Sequence, residues 1–167
     1  MKRGAIAAVD PPEPLPFRPF PSRRARRHGR FAPGTLVTVQ PTFMDVVNQA
    51  DATPFTTVDG STIRELLAHR NSAIRNQSLA EARLPPGRGT IPHHHRVTEE
   101  IYYILSGRAA MTLGDETRDV GPGDAIAIPP GVRHTIQNTG DEELVFLCTC
   151  APGYEHADTF LDPPAAG

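Results

Sequence analysis

An all-β domain, an antiparallel sandwich or barrel, is the fold class that residues 60 to 160 predict, on three observations. Apolar residues recur in short runs, each run stops at a turn signal, and no long helical period intervenes. The runs are SLAEARL before Pro85-Pro86-Gly87, EEIYYIL before Ser106-Gly107, AAMTL before Gly114-Asp115, AIAI before Pro129-Pro130-Gly131, and ELVFLCTC before Ala151-Pro152-Gly153. Gly and Pro punctuate such runs because they supply the turn geometries that a strand cannot adopt. Ahead of them a short N-terminal helix is expected over 61–70 (STIRELLAHR). There Ile63, Leu66 and Leu67 share one side of a helical wheel, and Thr62 and Glu65 have capping-box spacing. VVNQA and PFTTV, before residue 60, are weakly patterned strand segments that could supply a contact between copies.

The composition bounds what this domain can be. A chain of 167 residues with 38% hydrophobic residues, 18 prolines and no tryptophan supports one modest domain and excludes two large ones. The net charge of −2 conceals two unlike parts. Residues 1–40 hold eight basic side chains against Asp10 and Glu13, a balance of +6, and the remainder holds nine basic against seventeen acidic, −8. Seven prolines between 10 and 33 remove backbone donors and restrain their neighbours, so 1–43 is expected to be a basic, Pro-rich disordered arm and 44–167 the single folded domain. A start at Met44 would make the arm an upstream extension. The run Arg23 to Arg30 could meet phosphates, but a solvated tail is the expectation, and nucleic acid is not an expected partner. No apolar stretch is long enough to cross a bilayer, and no apolar region follows the N-terminal charges as in a signal peptide. The two cysteines, Cys148 and Cys150, can build neither a disulfide framework nor a four-thiolate zinc site, which fits a reducing cytoplasm.

The chemistry is concentrated in 87–107, where His93, His94, His95, Glu99 and Glu100 fall within eight residues. On a strand, side chains at i and i+2 share a face, so His93 and His95 point together while His94 points away. A carboxylate across a bend can add to that pair. A third imidazole, His134, can arrive from another strand after the Pro129-Pro130-Gly131 turn.

These two segments resemble the two signature motifs of the cupin superfamily. The first reads Gly87, five residues, His93, one, His95, four, Glu100, six, Gly107; the second reads Gly123, five, Pro129, one, Gly131, two, His134, three, Asn138. Every spacing matches, and fifteen residues separate the motifs. The resemblance implies a double-stranded β-helix, the jelly-roll or cupin barrel, with one divalent metal ion held by His93, His95, Glu100 and His134. Glu99 is the rival carboxylate, since a bulge would exchange the neighbours. His94 is expected at the surface or behind the ligands, and His28, His69 and His156 lack a partner at ligand spacing.

Three nitrogens and one oxygen suit Fe or Mn, favoured here, and also Zn, Ni or Cu. An ion of charge +2 beside Glu100 leaves a net positive site, which suits a small chelating, oxygen-rich and anionic substrate. The resemblance therefore implies a metal-dependent enzyme, with a dioxygenase first. A non-redox isomerase, lyase or polyketide cyclase is the alternative, followed by a non-catalytic binding barrel. Glu100 is the candidate for proton movement. Tyr102 shares its face by parity, either as core packing or as a catalytic and substrate-binding phenol. Cys148, on a face with Leu144, Phe146 and Cys150, is a candidate lining of the substrate cavity. Gly107, Gly123, Gly131 and Asn138 are expected to make turns, and a homodimer is expected from the need to cover sheet edges.

Overall fold

The computed structural model of the chain describes residues 44–162; the expected arm over 1–43 lies outside them. The strands follow one another as β1 (Phe55–Thr56), β2 (Thr62–Leu67), β3 (Ser78–Leu84), β4 (His93–His95), β5 (Glu99–Ser106), β6 (Ala109–Leu113), β7 (Glu116–Val120), β8 (Ala125–Ile128), β9 (His134–Asn138), β10 (Leu144–Ala151) and β11 (Thr159–Leu161). All pairings are antiparallel. They form a six-stranded sheet in the order β1-β2-β3-β10-β5-β8 and a five-stranded sheet in the order β11-β4-β9-β6-β7. This is the two-sheet, jelly-roll architecture that the turn-punctuated runs predict.

Period-two patterning decides which side chains enter the space between the sheets. Along β3, Ser78, Ala80, Ala82 and Leu84 are buried while the residues between them are half-buried; along β5, Glu100, Tyr102 and Ile104 are buried and Glu99, Ile101, Tyr103 and Leu105 face outward. The buried sets join Ile63, Met111, Ile128, Ile136, Leu144 and Phe146 in one core. Strand β10 lies between β3 and β5, so its inward residues sit at the centre of the larger sheet.

The helix expected over 61–70 is corrected to strand β2. Its backbone pairs with β3, Ile63 opposite Ala82 and Glu65 opposite Ala80, and Ile63 and Glu65 both reach the interior. The register shifts between Glu65 and Leu67. That bulge sets Leu66 and Leu67 side by side after Ile63, which imitates helical spacing, and the ladder to β3 outweighs a weak local propensity. Of the two weakly patterned segments, VVNQA forms no strand and enters a 3-10 turn, Gln49–Asp51, whereas PFTTV contains β1. Strand β7 carries no signal in the sequence: ETRDV is exposed along most of its length at a sheet edge and so shows no apolar alternation.

Two expected turn-makers have clear physical reasons. Gly107 has a φ of +87°, and a Cβ there would meet the Leu144 backbone at 2.8 Å, so no side chain fits where β5 turns towards β6. Asn138 is buried; its amide donates to the Leu84 and Glu142 carbonyls, and its Oδ1 accepts from Gly140 N–H, closing the loop between β9 and β10.

Candidate metal centre

The sheets bring His93, His95, Glu100 and His134 together. All four are buried, and one potential ligand atom from each lies within 4.8 Å of the others. Strand β4 presents His93 and His95 on one face, with His93 directly opposite His134 at the start of β9; Glu100 reaches across from β5 in the other sheet. The four-residue gap between His95 and Glu100 is shaped by Asp158, whose carboxylate accepts the N–H groups of Arg96, Val97 and Thr98 at 2.9–3.2 Å. The Pro-Gly turn before His134 is tied to β4 by Gly131 N–H donating to the His95 carbonyl at 2.6 Å.

Backbone carbonyls fix the tautomers. The Nδ1 atoms of His93, His95 and His134 lie 2.8, 3.3 and 3.1 Å from the carbonyls of Ile91, Asp158 and Val132. A carbonyl only accepts, so each Nδ1 carries a proton in the neutral ring and each Nε2 keeps its lone pair for the interior. Two of those atoms approach Glu100 Oε2, His95 Nε2 at 3.3 Å and His134 Nε2 at 3.5 Å. Glu100 Oε1 accepts from the Cys150 thiol at 3.4 Å, yet Glu100 Oε2 and His134 Nε2 are buried with no hydrogen-bond partner. Buried polar atoms left unpaired are costly. A divalent cation held by His93, His95, His134 and Glu100 would remove that cost, so the residues present fit such an ion.

Burial alone would push the Glu100 carboxyl up, but in metal-free protein N–H donation and positive charge from the His134 and His95 rings in their protonated form more than reverse this, to about 2. For His95, burial lowers and the Glu100 charge raises, with a net rise; for His93, burial and the His134 charge bring the ring below the ordinary value of 6.5. In metal-free protein the depressed Glu100 value stabilises the fold above the ordinary value of 4.5, and that contribution is lost as pH falls towards about 2. Chelator-treated protein is therefore expected to show a melting temperature that falls steadily between pH 4.5 and 2. A Glu100→Gln variant should show a shallower fall, the remainder coming from other carboxylates such as Asp158, which backbone N–H donors hold below the ordinary value, as followed by circular dichroism.

The cavity beside the four side chains is lined by Tyr102, Cys148, Cys150, Tyr154 and Asp59, among others, with about 30 Å³ free at its centre. That is room for about two water molecules, enough for a few atoms at one end of a ligand. Tyr102 is buried, its ring 6.0 Å from His134 and 4.8 Å from Phe146. Burial pushes the Tyr102 phenol and the Cys148 thiol up, and Tyr154 up to about 12, so these groups keep their protons. Cys148 thus faces the cavity as a neutral thiol.

The rival Glu99 faces outward and is exposed. His94 points away from the centre, 3.1 Å from Asp162 and stacked on Phe160. His69 lies 3.4 Å from Glu155 and His156 beside Tyr154, both at the surface, and His28 is outside the described residues. Sequence reasoning missed two residues. Tyr154 had no spacing to mark it. Asp59 is buried, with Oδ2 at 3.7 Å from His93 Nε2. Its only signal is the Asp59-Gly60 dipeptide, which marks a turn and nothing more.

Comparison with known proteins adds the following. A family profile described as Cupin domain matches residues 80–150. An uncharacterized protein of Methanocaldococcus jannaschii is 50% identical over 106 residues, spanning 64% of this chain and 85% of that protein. An oxalate-binding protein of Thermotoga maritima is 32% identical over 108 residues, spanning 61% of this chain and 89% of that protein. Among solved structures, the polyketide cyclase RemF from Streptomyces resistomycificus matches with a TM-score of 0.62 at 25% identity, covering 74% of this chain and 88% of that one. No helix among the described residues is long and apolar enough to cross a membrane.

Proposed function

The chain belongs to the cupin superfamily, and on that premise we propose that it is a metal-dependent enzyme acting on a small, oxygen-rich, chelating substrate, with proton transfer as its chemistry. The observation that carries this reading is the buried set His93, His95, Glu100 and His134, whose Glu100 Oε2 and His134 Nε2 lack partners, beside a cavity lined by proton-bearing groups. A divalent ion bound there supplies Lewis acidity towards a substrate oxygen. The imidazoles, held by backbone carbonyls, keep fixed orientations and need not reorganise when it binds. Glu100, ionised over the physiological range, offsets part of the cation's charge. Tyr102, kept neutral by burial, is placed to donate a hydrogen bond to a substrate oxygen that gains negative charge. The sheet around them excludes bulk water.

Proton-transfer chemistry, meaning isomerisation, a lyase step or cyclisation, is supported by the neutral phenols of Tyr102 and Tyr154 and by the likeness to a polyketide cyclase. The dioxygenase is the second reading, because the same ligand set suits Fe or Mn. One experiment separates them: metal content of protein purified without added metal, then oxygen uptake and substrate loss with a panel of hydroxy acids, enolisable acids and catechols. Substrate loss without oxygen uptake is the expected outcome. Stoichiometric oxygen uptake moves the assignment to the dioxygenase, and loss of no substrate with any bound metal overturns the enzyme reading. A homodimer is part of the proposal, supported by the outward-facing Ile101, Tyr103 and Leu105 of β5, each more than 40% exposed. Sedimentation at twice the chain mass is the expected result, and a monomer at micromolar concentration contradicts it.

A further inference from the structure

We propose that Asp59 sets the substrate specificity of this site: its free carboxylate oxygen accepts a hydrogen bond from a donor on the bound substrate, so the pocket selects hydroxylated chelators over dicarboxylate dianions. The inference rests on the proposed function and names the substrate class for the same cavity.

The β1–β2 connection is built around this one side chain. Thr57 N–H donates to the Ser61 carbonyl at 2.9 Å, Gly60 takes a φ of +87°, and the Asp59 carbonyl accepts Ile91 N–H at 2.6 Å, which anchors the turn to the segment leading into β4. Within the turn, Asp59 Oδ1 accepts from the Thr57 hydroxyl, from Ser61 N–H at 3.0 Å and from the Ser61 hydroxyl at 2.9 Å. Three donors on one oxygen hold the carboxylate plane still. A purely structural role is complete at that point.

The second oxygen is what remains. Among the described residues Oδ2 takes no hydrogen bond, and it lies 3.7 Å from His93 Nε2 in the wall of the cavity. His93 Nδ1 is engaged by the Ile91 carbonyl, so Nε2 presents a lone pair, and two acceptors face one another with no donor between them. Asp59 is not among the four residues whose ligand atoms cluster within 4.8 Å. It borders that cluster from the His93 side. A cation satisfies His93, and Oδ2 is then left for an O–H or N–H group of whatever molecule occupies the cavity.

Charge gives the same answer. With Glu100 alone, a divalent ion leaves the site at +1, the balance that the sequence implied. Asp59 brings it to zero, since Glu65, the other carboxylate in the cavity wall, is ion-paired with Arg70. A dianion such as oxalate then places a second carboxylate near Oδ2 with no proton to offer, which is repulsive in a buried site. A 2-hydroxy acid or another hydroxyl-bearing chelator offers a donor and at most one charge.

The test compares parent protein with Asp59→Asn, whose amide oxygen still accepts the three turn donors while its NH₂ group donates where Oδ2 accepted. Both are loaded with Co(II). Metal affinity is measured by chelator competition, and binding of oxalate and of glycolate by calorimetry. The expected result is Co(II) affinity within about threefold of the parent and an oxalate-to-glycolate affinity ratio raised at least tenfold. Asp59→Ser, which also lacks the carboxylate, must move the ratio the same way. A ratio unchanged within threefold in both variants, with parent and variants fully loaded, overturns the role of Asp59 and leaves the proposed function standing. A loss of Co(II) affinity of 100-fold or more in both variants, with folded spectra, makes Asp59 a fifth ligand and overturns the proposal as well. A parent that takes up no divalent ion sinks the proposed function and this inference together.

Discussion

His134→Ala is expected to weaken binding of a divalent ion by at least about 100-fold while leaving the metal-free barrel folded. His134 is fully buried and contributes a partnerless Nε2 that points at Glu100. In metal-free protein the substitution removes one hydrogen bond, Nδ1–H to the Val132 carbonyl, but also one unpaired polar atom, and these effects oppose each other. In loaded protein it removes a ligand outright. At an ion concentration that is 100 times the parent's Kd, binding stabilises the fold by about 2.7 kcal/mol, and a 100-fold weaker site loses most of that. Thermal melts with and without metal check this: the parent shows a large metal-dependent rise and His134→Ala almost none. A rise of equal size in both would remove His134 from the site.

Phe146→Ala is the substitution expected to harm the fold most, by about 3–5 kcal/mol. Phe146 is 1% exposed, sits on β10 opposite Ala82 on one side and Ile104 on the other, and packs its ring 4.8 Å from that of Tyr102. Small residues flank it: Ala80 and Ala82 on β3 cannot swing in to fill the void. For a domain whose total stability is of order 5–15 kcal/mol, that loss is a large fraction and should lower the melting temperature by roughly 10–20 °C. Because Phe146 also lines the cavity, the variant should bind substrate-like acids more weakly even where it remains folded. Phe146→Leu, which retains most of the volume, is expected to recover the larger part of both losses, as read by denaturant titration and calorimetry.

Much of this molecule was legible in its residues, for identifiable reasons. Strands such as EEIYYIL and SLAEARL announce themselves because one face meets a closed core and the turns between them need Gly or Pro, so apolar period and turn chemistry agree. The juxtaposition of His93, His95, Glu100 and His134 was legible because two of them are fixed by i, i+2 parity and the others by motif spacing. What escaped lacked such agreement. The β2 segment looked helical because a bulge at Glu65–Leu67 breaks its alternation, and only pairing to β3 reveals the strand. Strand β7 shows no apolar face because it is an exposed edge. Asp59 is 34 positions before His93 in the chain, and its approach to that ring depends on how the β1–β2 turn docks against β4, a contact no local pattern encodes. The sequence alone therefore implies a positive charge balance, whereas the folded wall adds Asp59, and also Glu65, which Arg70 neutralises.

The central claim, that four side chains from two facing sheets hold one divalent ion, is tested most directly by metal stoichiometry. The parent and a His93→Ala/His134→Ala variant, purified identically and equilibrated with limiting divalent metal, are assayed by elemental analysis after gel filtration. One equivalent per chain in the parent and less than about a tenth in the variant is expected. Equal metal content in the two proteins contradicts the claim.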